Sequence, residues 1–217
     1  VTPLLAAALA IAALAALFAA ELKRERAKVD APTLGERIDL SMRPNLALLV
    51  IDMQEDFTAV GGRGGWDERY MKTHLGAIDI MASKALKAEI PVIAIRHVHR
   101  MPLIRLTVRL FGEGRGLPGS KGLGLSPELG LTPDFEVVKA LSDGFSSPEL
   151  EGYLQAKGVG TLLLTGLDGC HGVQATAHGA LNRGYRVEIV ENAVLSRDEG
   201  AWRRHLAALT GRGAVLI

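Results

Sequence analysis

Runs of consecutive apolar residues of strand length recur along the chain, and stretches with helical periodicity lie between them. Residues 46–51 (Leu-Ala-Leu-Leu-Val-Ile) are the first such run, and it ends in Asp52. A run without polar alternation is what a strand covered on both faces requires. Residues 91–95, 136–138, 160–165, 186–190 and 214–217 read as further strands. Helices are expected over 66–86, from Pro148 with Ser147 as N-cap, over roughly 172–182, and over 199–209. In the first of these, Tyr70, Leu75, Ile78, Met81, Ala82 and Ala85 approximate the 3.6-residue period of an amphipathic helix. Alternating strand and helix specify an α/β fold, a mostly parallel sheet with helices on both faces. Sites in such sheets form beyond the carboxyl ends of the strands. Asp52, His97, Lys139 and the segment 166–172 all fall at such ends.

The N-terminus follows a different pattern. From Pro3 to Ala20 the sequence is unbroken apolar, and Leu22 extends it past Glu21. About 20 helical residues cover the roughly 30 Å hydrocarbon layer of a bilayer, so residues 1–22 are expected to form a transmembrane anchor. No Lys or Arg precedes the run, and Phe18-Ala19-Ala20 is a poor cleavage site, which argues against a cleaved signal peptide. An alanine-rich buried helix of a soluble protein is the other alternative. Lys23, Arg24, Arg26 and Lys28 follow at once, and cations beside a span stay cytoplasmic, so the C-terminal domain is expected to face the cytoplasm. Ala8, Ala12, Ala16 and Ala20 recur at four-residue spacing, a face on which helices of other membrane proteins could dock. The expected partners are therefore the lipid bilayer and such helices. Residues 23–44, with Pro32, Gly35 and Pro44, read as a basic flank and linker, and residues 45–217 as one α/β domain.

Between His97 and Pro133 lie Gly112, Gly114, Gly116, Gly119, Gly122 and Gly124, a composition expected to give a functional loop rather than a stable helix. It is no phosphate loop, because Ser120 separates Gly119 from Lys121. The formal net charge of +1 provides no basic field, so no nucleic-acid partner is expected. Cys170 is the only cysteine, which excludes an intrachain disulfide and a cysteine-rich zinc site. No histidine precedes His74, so the apolar run offers no imidazole to a haem or chlorophyll, and no cofactor is expected.

Four blocks, LLVIDMQEDF at 48–57, VIAIRHVHR at 92–100, VVKALSDGFSSPEL at 137–150 and the segment 162–190, resemble the isochorismatase-like cysteine hydrolases. That family includes nicotinamidases, N-carbamoylsarcosine amidohydrolases and isochorismatase itself. The resemblance implies a triad of Asp, Lys and Cys, and Asp52 and Lys139 match its first two members. Counted six residues from Gly166, or four back from Thr176, the nucleophile position falls on Gly172, with Cys170 two residues early. Displacement of a reacting atom by even 1 Å can cost about 10²-fold in rate, so Cys170 reads as a small structural side chain. Backbone N–H groups of His171 and Gly172 match the family's oxyanion cradle. Metal-dependent relatives use an Asp-x-His arrangement. Here Ile95 stands where that carboxylate would be, so His97 and His99 are expected to hold no metal. Together with Arg105 they are candidates for a substrate loop, and Arg109, Arg115 and Lys121 could also reach inward.

Two functions follow. The favoured one is a catalytically degenerate domain serving as an accessory subunit of a membrane protein complex, since a soluble hydrolase needs no bilayer span. The alternative is a hydrolase without a covalent nucleophile, acting on a small vinyl ether. In it Asp52 is a general acid with a raised pKa, Lys139 holds charge and substrate, and Gly172 leaves room for the ring. An open cavity around Asp52 favours the enzyme, and a plugged one the scaffold.

Overall fold

A computed structural model of the chain describes residues 2–61 and 65–217. The first element, α1 (Pro3–Asp30), opens with Thr2, whose hydroxyl accepts the Leu5 N–H, and with Pro3 in the first turn. Its 28 residues extend about 42 Å. The helix is long and apolar enough to cross a membrane, and none of its apolar stretch is buried within the chain.

The domain follows as β1 (Asn45–Ile51), a single turn α2 (Glu55–Thr58), α3 (Glu68–Lys87), β2 (Val92–His97), α4 (Pro102–Phe111) and β3 (Phe135–Lys139). Then come α5 (Pro148–Ala156), β4 (Val159–Gly166), α6 (Gln174–Asn182), β5 (Arg186–Val194), α7 (Glu199–Thr210) and β6 (Val215–Leu216). Among the described residues the strands form one parallel sheet in the order β3-β2-β1-β4-β5-β6. The continuous apolar runs are the central strands: residues 47–51 of β1 and all of β4 are buried. One core layer joins Ala47, Leu49 and Ile51 to Leu150, Val173 and Trp202, and the other joins Leu48 and Val50 to Met71, Leu75 and Ile78 of α3. Alternate residues of each strand thus feed opposite faces.

Ser147 does precede α5, but its hydroxyl donates to the Val138 carbonyl instead of capping the helix. The expectation that residues 97–133 hold no stable helix is corrected by α4. Its ten residues end at Gly112, so the glycines lie beyond the helix and not in it. Pro102 in the first turn and the apolar i,i+4 pairs Ile104/Val108 and Leu106/Leu110 supply the helical signal that the downstream glycines masked.

Residues 23–44 lie against the domain along much of their length. The helix does not stop at the basic flank but continues to Asp30, with Glu25 and Val29 buried. Glu25 accepts the backbone N–H groups of Leu103 (3.0 Å) and Ile104 (3.1 Å) at the start of α4. The Ser142 N–H donates to the Val29 carbonyl. Further on, the Thr33 N–H and hydroxyl both donate to Asp143, and the Arg183 guanidinium donates to the Thr33 and Leu34 carbonyls and to Glu151. A carboxylate at the N-terminus of another helix satisfies orphan donors and opposes the helix dipole. Charge-assisted bonds of this kind contribute roughly 1.5–3 kcal/mol each when removed without replacement. Glu25→Ala, which removes two such bonds, is therefore expected to lower stability by about 3 kcal/mol in urea unfolding, and Glu25→Gln, which keeps an acceptor, by only part of that.

Candidate active site

The carboxyl end of β1 carries Asp52, whose φ of 54° places it in the left-handed region that Asp tolerates better than most residues. This turn aims the carboxylate along the sheet edge. From the end of β3, two strands away, Lys139 reaches across so that Nζ lies 2.9 Å from Asp52 Oδ2. The ammonium is fully buried and donates also to the Ser142 carbonyl. Burial pushes the Asp52 carboxyl up to about 6, against the opposing pull of the Lys139 charge and hydrogen bond. Its second oxygen, Oδ1, has no hydrogen-bond partner among the described residues.

After β4 the chain turns sharply at Gly166, where φ is +111° and a Cβ would lie 2.1 Å from the Ile51 carbonyl oxygen. A π-type turn over Gly169–Val173 then leads into α6. Gly172 sits in that turn directly against Asp52. A Cβ there would be 2.6 Å from Asp52 Oδ2 and 3.0 Å from the Leu167 carbonyl oxygen. The carboxylate thus occupies the volume a side chain at 172 would enter. Cys170 points elsewhere: Sγ is 3.4 Å from the Ser196 hydroxyl and 3.5 Å from the Asp198 carbonyl, and burial pushes its thiol up. It is neither ionised readily nor aimed at Asp52.

His97 is buried at the end of β2, with Nε2 at 3.0 Å from His99 Nδ1. Burial first, then the charges of Lys139 and His99, holds the His97 imidazole far below its usual range, so it is neutral. The Gln54 side chain locks this strand end by bonding both the N–H and the carbonyl of His97. Sequence reasoning assigned Gln54 no role, although it lies inside the block 48–57.

A cavity of about 460 Å³ opens over Asp52, within the range of small-molecule sites. Asp52, His97, His99, His171 and Gly172 line it, with Phe57, Ile104, Val108 and Leu167 as its apolar walls. Three further lining residues, Arg26, Val29 and Asp30, come from α1. Asp30 Oδ1 accepts the Ser142 hydroxyl and faces His171 Nδ1 at 3.4 Å. Burial acts to raise the Asp30 pKa but is outweighed by bonds from His171 and Ser142, and the Asp30 bond in turn raises His171. The segment read as a flank thus supplies a wall of the site, which no local pattern in residues 23–30 signalled.

Several expected placements change. Lys139 does not line the cavity, because its ammonium is enclosed against Asp52 and the Ser142 carbonyl. Arg105 does not reach inward: it is exposed on the outer side of α4 beside Pro102, Leu106 and Arg109. Lys121 is exposed as well, while Arg115 pairs with Glu113 at 2.7 Å and lines a second, adjoining cavity of about 410 Å³. Ala8, Ala12, Ala16 and Ala20 remain exposed along α1, far from these groups in sequence.

A parallel α/β sheet with a buried carboxylate–ammonium pair at its carboxyl edge defines the chemistry-bearing end of this domain. The isochorismatase domain family model matches residues 46–217. The chain belongs to the isochorismatase family. Among solved structures it is similar to N-carbamoylsarcosine amidase from Thermoplasma acidophilum, at 27% identity and TM-score 0.66, over 79% of this chain and 95% of that one. Pyrazinamidase/nicotinamidase from Streptococcus mutans matches at 26% identity and TM-score 0.68, over 80% and 100%. An isochorismatase family protein from Desulfovibrio vulgaris matches at 25% identity and TM-score 0.69, over 79% and 93%.

Removing one partner of a buried ion pair strands the other, at a cost of about 3–5 kcal/mol. Lys139→Met is expected to destabilise the fold by that amount at neutral pH. Asp52 has a folded pKa above its unfolded value, so its contribution is present at low pH and is lost as pH rises through about 6. Because Lys139 is what lowers the Asp52 pKa, chemical unfolding of Lys139→Met should show much of the loss recovered on acidification at a pH above that of the unmodified pair, and the double variant Asp52→Asn/Lys139→Met should recover it at neutral pH.

Proposed function

We propose that this chain is a membrane-anchored hydrolase of the isochorismatase type that works without a covalent nucleophile. The observation that carries this reading is the cavity over Asp52: it is open, and Asp52 lines it with a carboxyl that burial pushes up to about 6 and whose Oδ1 is buried without a hydrogen-bond partner among the described residues. The protonated carboxyl is a general acid near neutral pH, and the side-chain-free Gly172 leaves the floor clear.

On a vinyl ether, the Asp52 proton passes to the terminal methylene carbon, whose π electrons form the new C–H bond and leave an oxocarbenium ion. Water adds to that cation and loses a proton to the Asp52 carboxylate. The resulting hemiketal breaks its bond to the alcohol oxygen, which takes up a proton, yielding a ketone and an alcohol. Lys139 holds the carboxyl in place, and its charge stabilises the carboxylate left after proton transfer. Arg26 supplies a cation at the rim suited to a substrate carboxylate. In this reading α1 crosses the bilayer once, and the cations at 23, 24, 26 and 28 keep the domain in the cytoplasm.

A second reading draws on the exposed alanine stripe of α1 and on the way that helix covers one side of the site. In it the domain is a degenerate accessory subunit docked on other membrane helices. Turnover of isochorismate separates the two. The enzyme reading expects turnover that Asp52→Ala abolishes and kcat/KM that is level below pH about 6 and falls tenfold per unit above it, as the acid ionises. Absence of turnover across a panel of small vinyl ethers, with a membrane protein co-purifying in mild detergent, would instead establish the accessory role.

A further inference from the structure

We infer that the outer face of α4 is an interfacial surface that lies on the anionic leaflet beside the membrane span. The inference rests on reading α1 as that span. Helix α4 carries three parallel i,i+4 rows of different character. Ile104 and Val108 face the cavity, Leu106 and Leu110 are 43% and 62% exposed, and Arg105 and Arg109 stand exposed beside them. Phe111, 65% exposed, ends the helix.

What covers this apolar row follows from where α4 is held. Glu25 pins the first N–H groups of α4 and lies three residues beyond Leu22, the end of the apolar run. At 1.5 Å per residue the start of α4 sits about 5 Å along α1 from the hydrocarbon boundary. That is the depth at which an amphipathic helix buries its apolar face among headgroups while Arg side chains reach phosphates. Lys23 and Lys28 on α1, with Arg24 paired to Glu21, lie within about 9 Å of that boundary along the helix and carry the same sign as Arg105 and Arg109, which favours an anionic lipid surface. Because Ile104 and Val108 line the cavity from the opposite face of the helix, the site would then open at headgroup depth.

The test uses the full chain in a Cys170→Ser background, reconstituted in vesicles containing brominated lipid. A polarity-sensitive fluorophore is attached in turn at Leu14→Cys in the span, Leu106→Cys and Leu110→Cys on α4, and Leu86→Cys at the opposite edge of the sheet. Lipid quenching at positions 14, 106 and 110, but not 86, is expected. It should be stronger with phosphatidylglycerol than with phosphatidylcholine alone, and Arg105→Gln and Arg109→Gln should each weaken that preference by about fivefold. Quenching at 14 without quenching at 106 and 110 overturns the inference while the span stands. No quenching at 14 overturns the span and the inference with it. Protection of position 110 from aqueous iodide without lipid quenching shows a protein covering α4 and also overturns it, as does indifference to lipid charge.

Discussion

The Asp52–Lys139 pair is the constraint around which the carboxyl edge of this domain is arranged. Lys139 is enclosed in a sheet whose other interior groups are almost all apolar, and it is tolerable there only because Asp52 and the Ser142 carbonyl receive its protons. Asp52 is correspondingly held in a left-handed backbone conformation, and its second carboxyl oxygen is buried without a hydrogen-bond partner among the described residues. The residue opposite must lack a side chain, since the carboxylate already fills that volume. Gly172 and Asp52 are therefore one structural unit: enlarging the first displaces the second.

Helix α1 is the other organising element. Its apolar stretch stands free of the domain, whereas its last two turns bury Glu25 and Val29 and bring Arg26 and Asp30 to the cavity wall. Any movement of this helix relative to the domain would alter the site through the Glu25, Ser142 and His171 contacts. The family match begins at residue 46, so these contacts are made by a part of the chain outside the matched domain.

The sheet was legible because uninterrupted apolar runs have few alternatives once helices flank them. The positions of Asp52 and Lys139 at strand ends were legible for the same reason, since strand direction fixes which edge they reach. What could not be read were contacts made between segments remote in sequence. Nothing in residues 23–30 reveals that Glu25 meets α4 about 78 positions away, or that Asp30 meets Ser142. Helix α4 is masked because the glycines from Gly112 to Gly124 dominate the composition of residues 97–133, although residues 102–111 within it obey a helical period. Arg105 was assigned inward by charge, but the period of α4 turns it out while Ile104 turns in. The enclosure of Lys139 was likewise invisible, because sequence marks a lysine at an edge and not which way its ammonium is covered.

The central claim is that burial outweighs the lysine beside Asp52 and raises its carboxyl to about 6, so that it takes up a proton just below neutral pH. Carbon-13 NMR of the aspartate carboxyls, with the Asp52 signal assigned by its loss in Asp52→Asn, measures this directly in the intact chain. A midpoint near pH 6 is expected. A carboxyl that stays ionised down to the ordinary aspartate range near 3.8 would contradict it and leave the cavity without its acid.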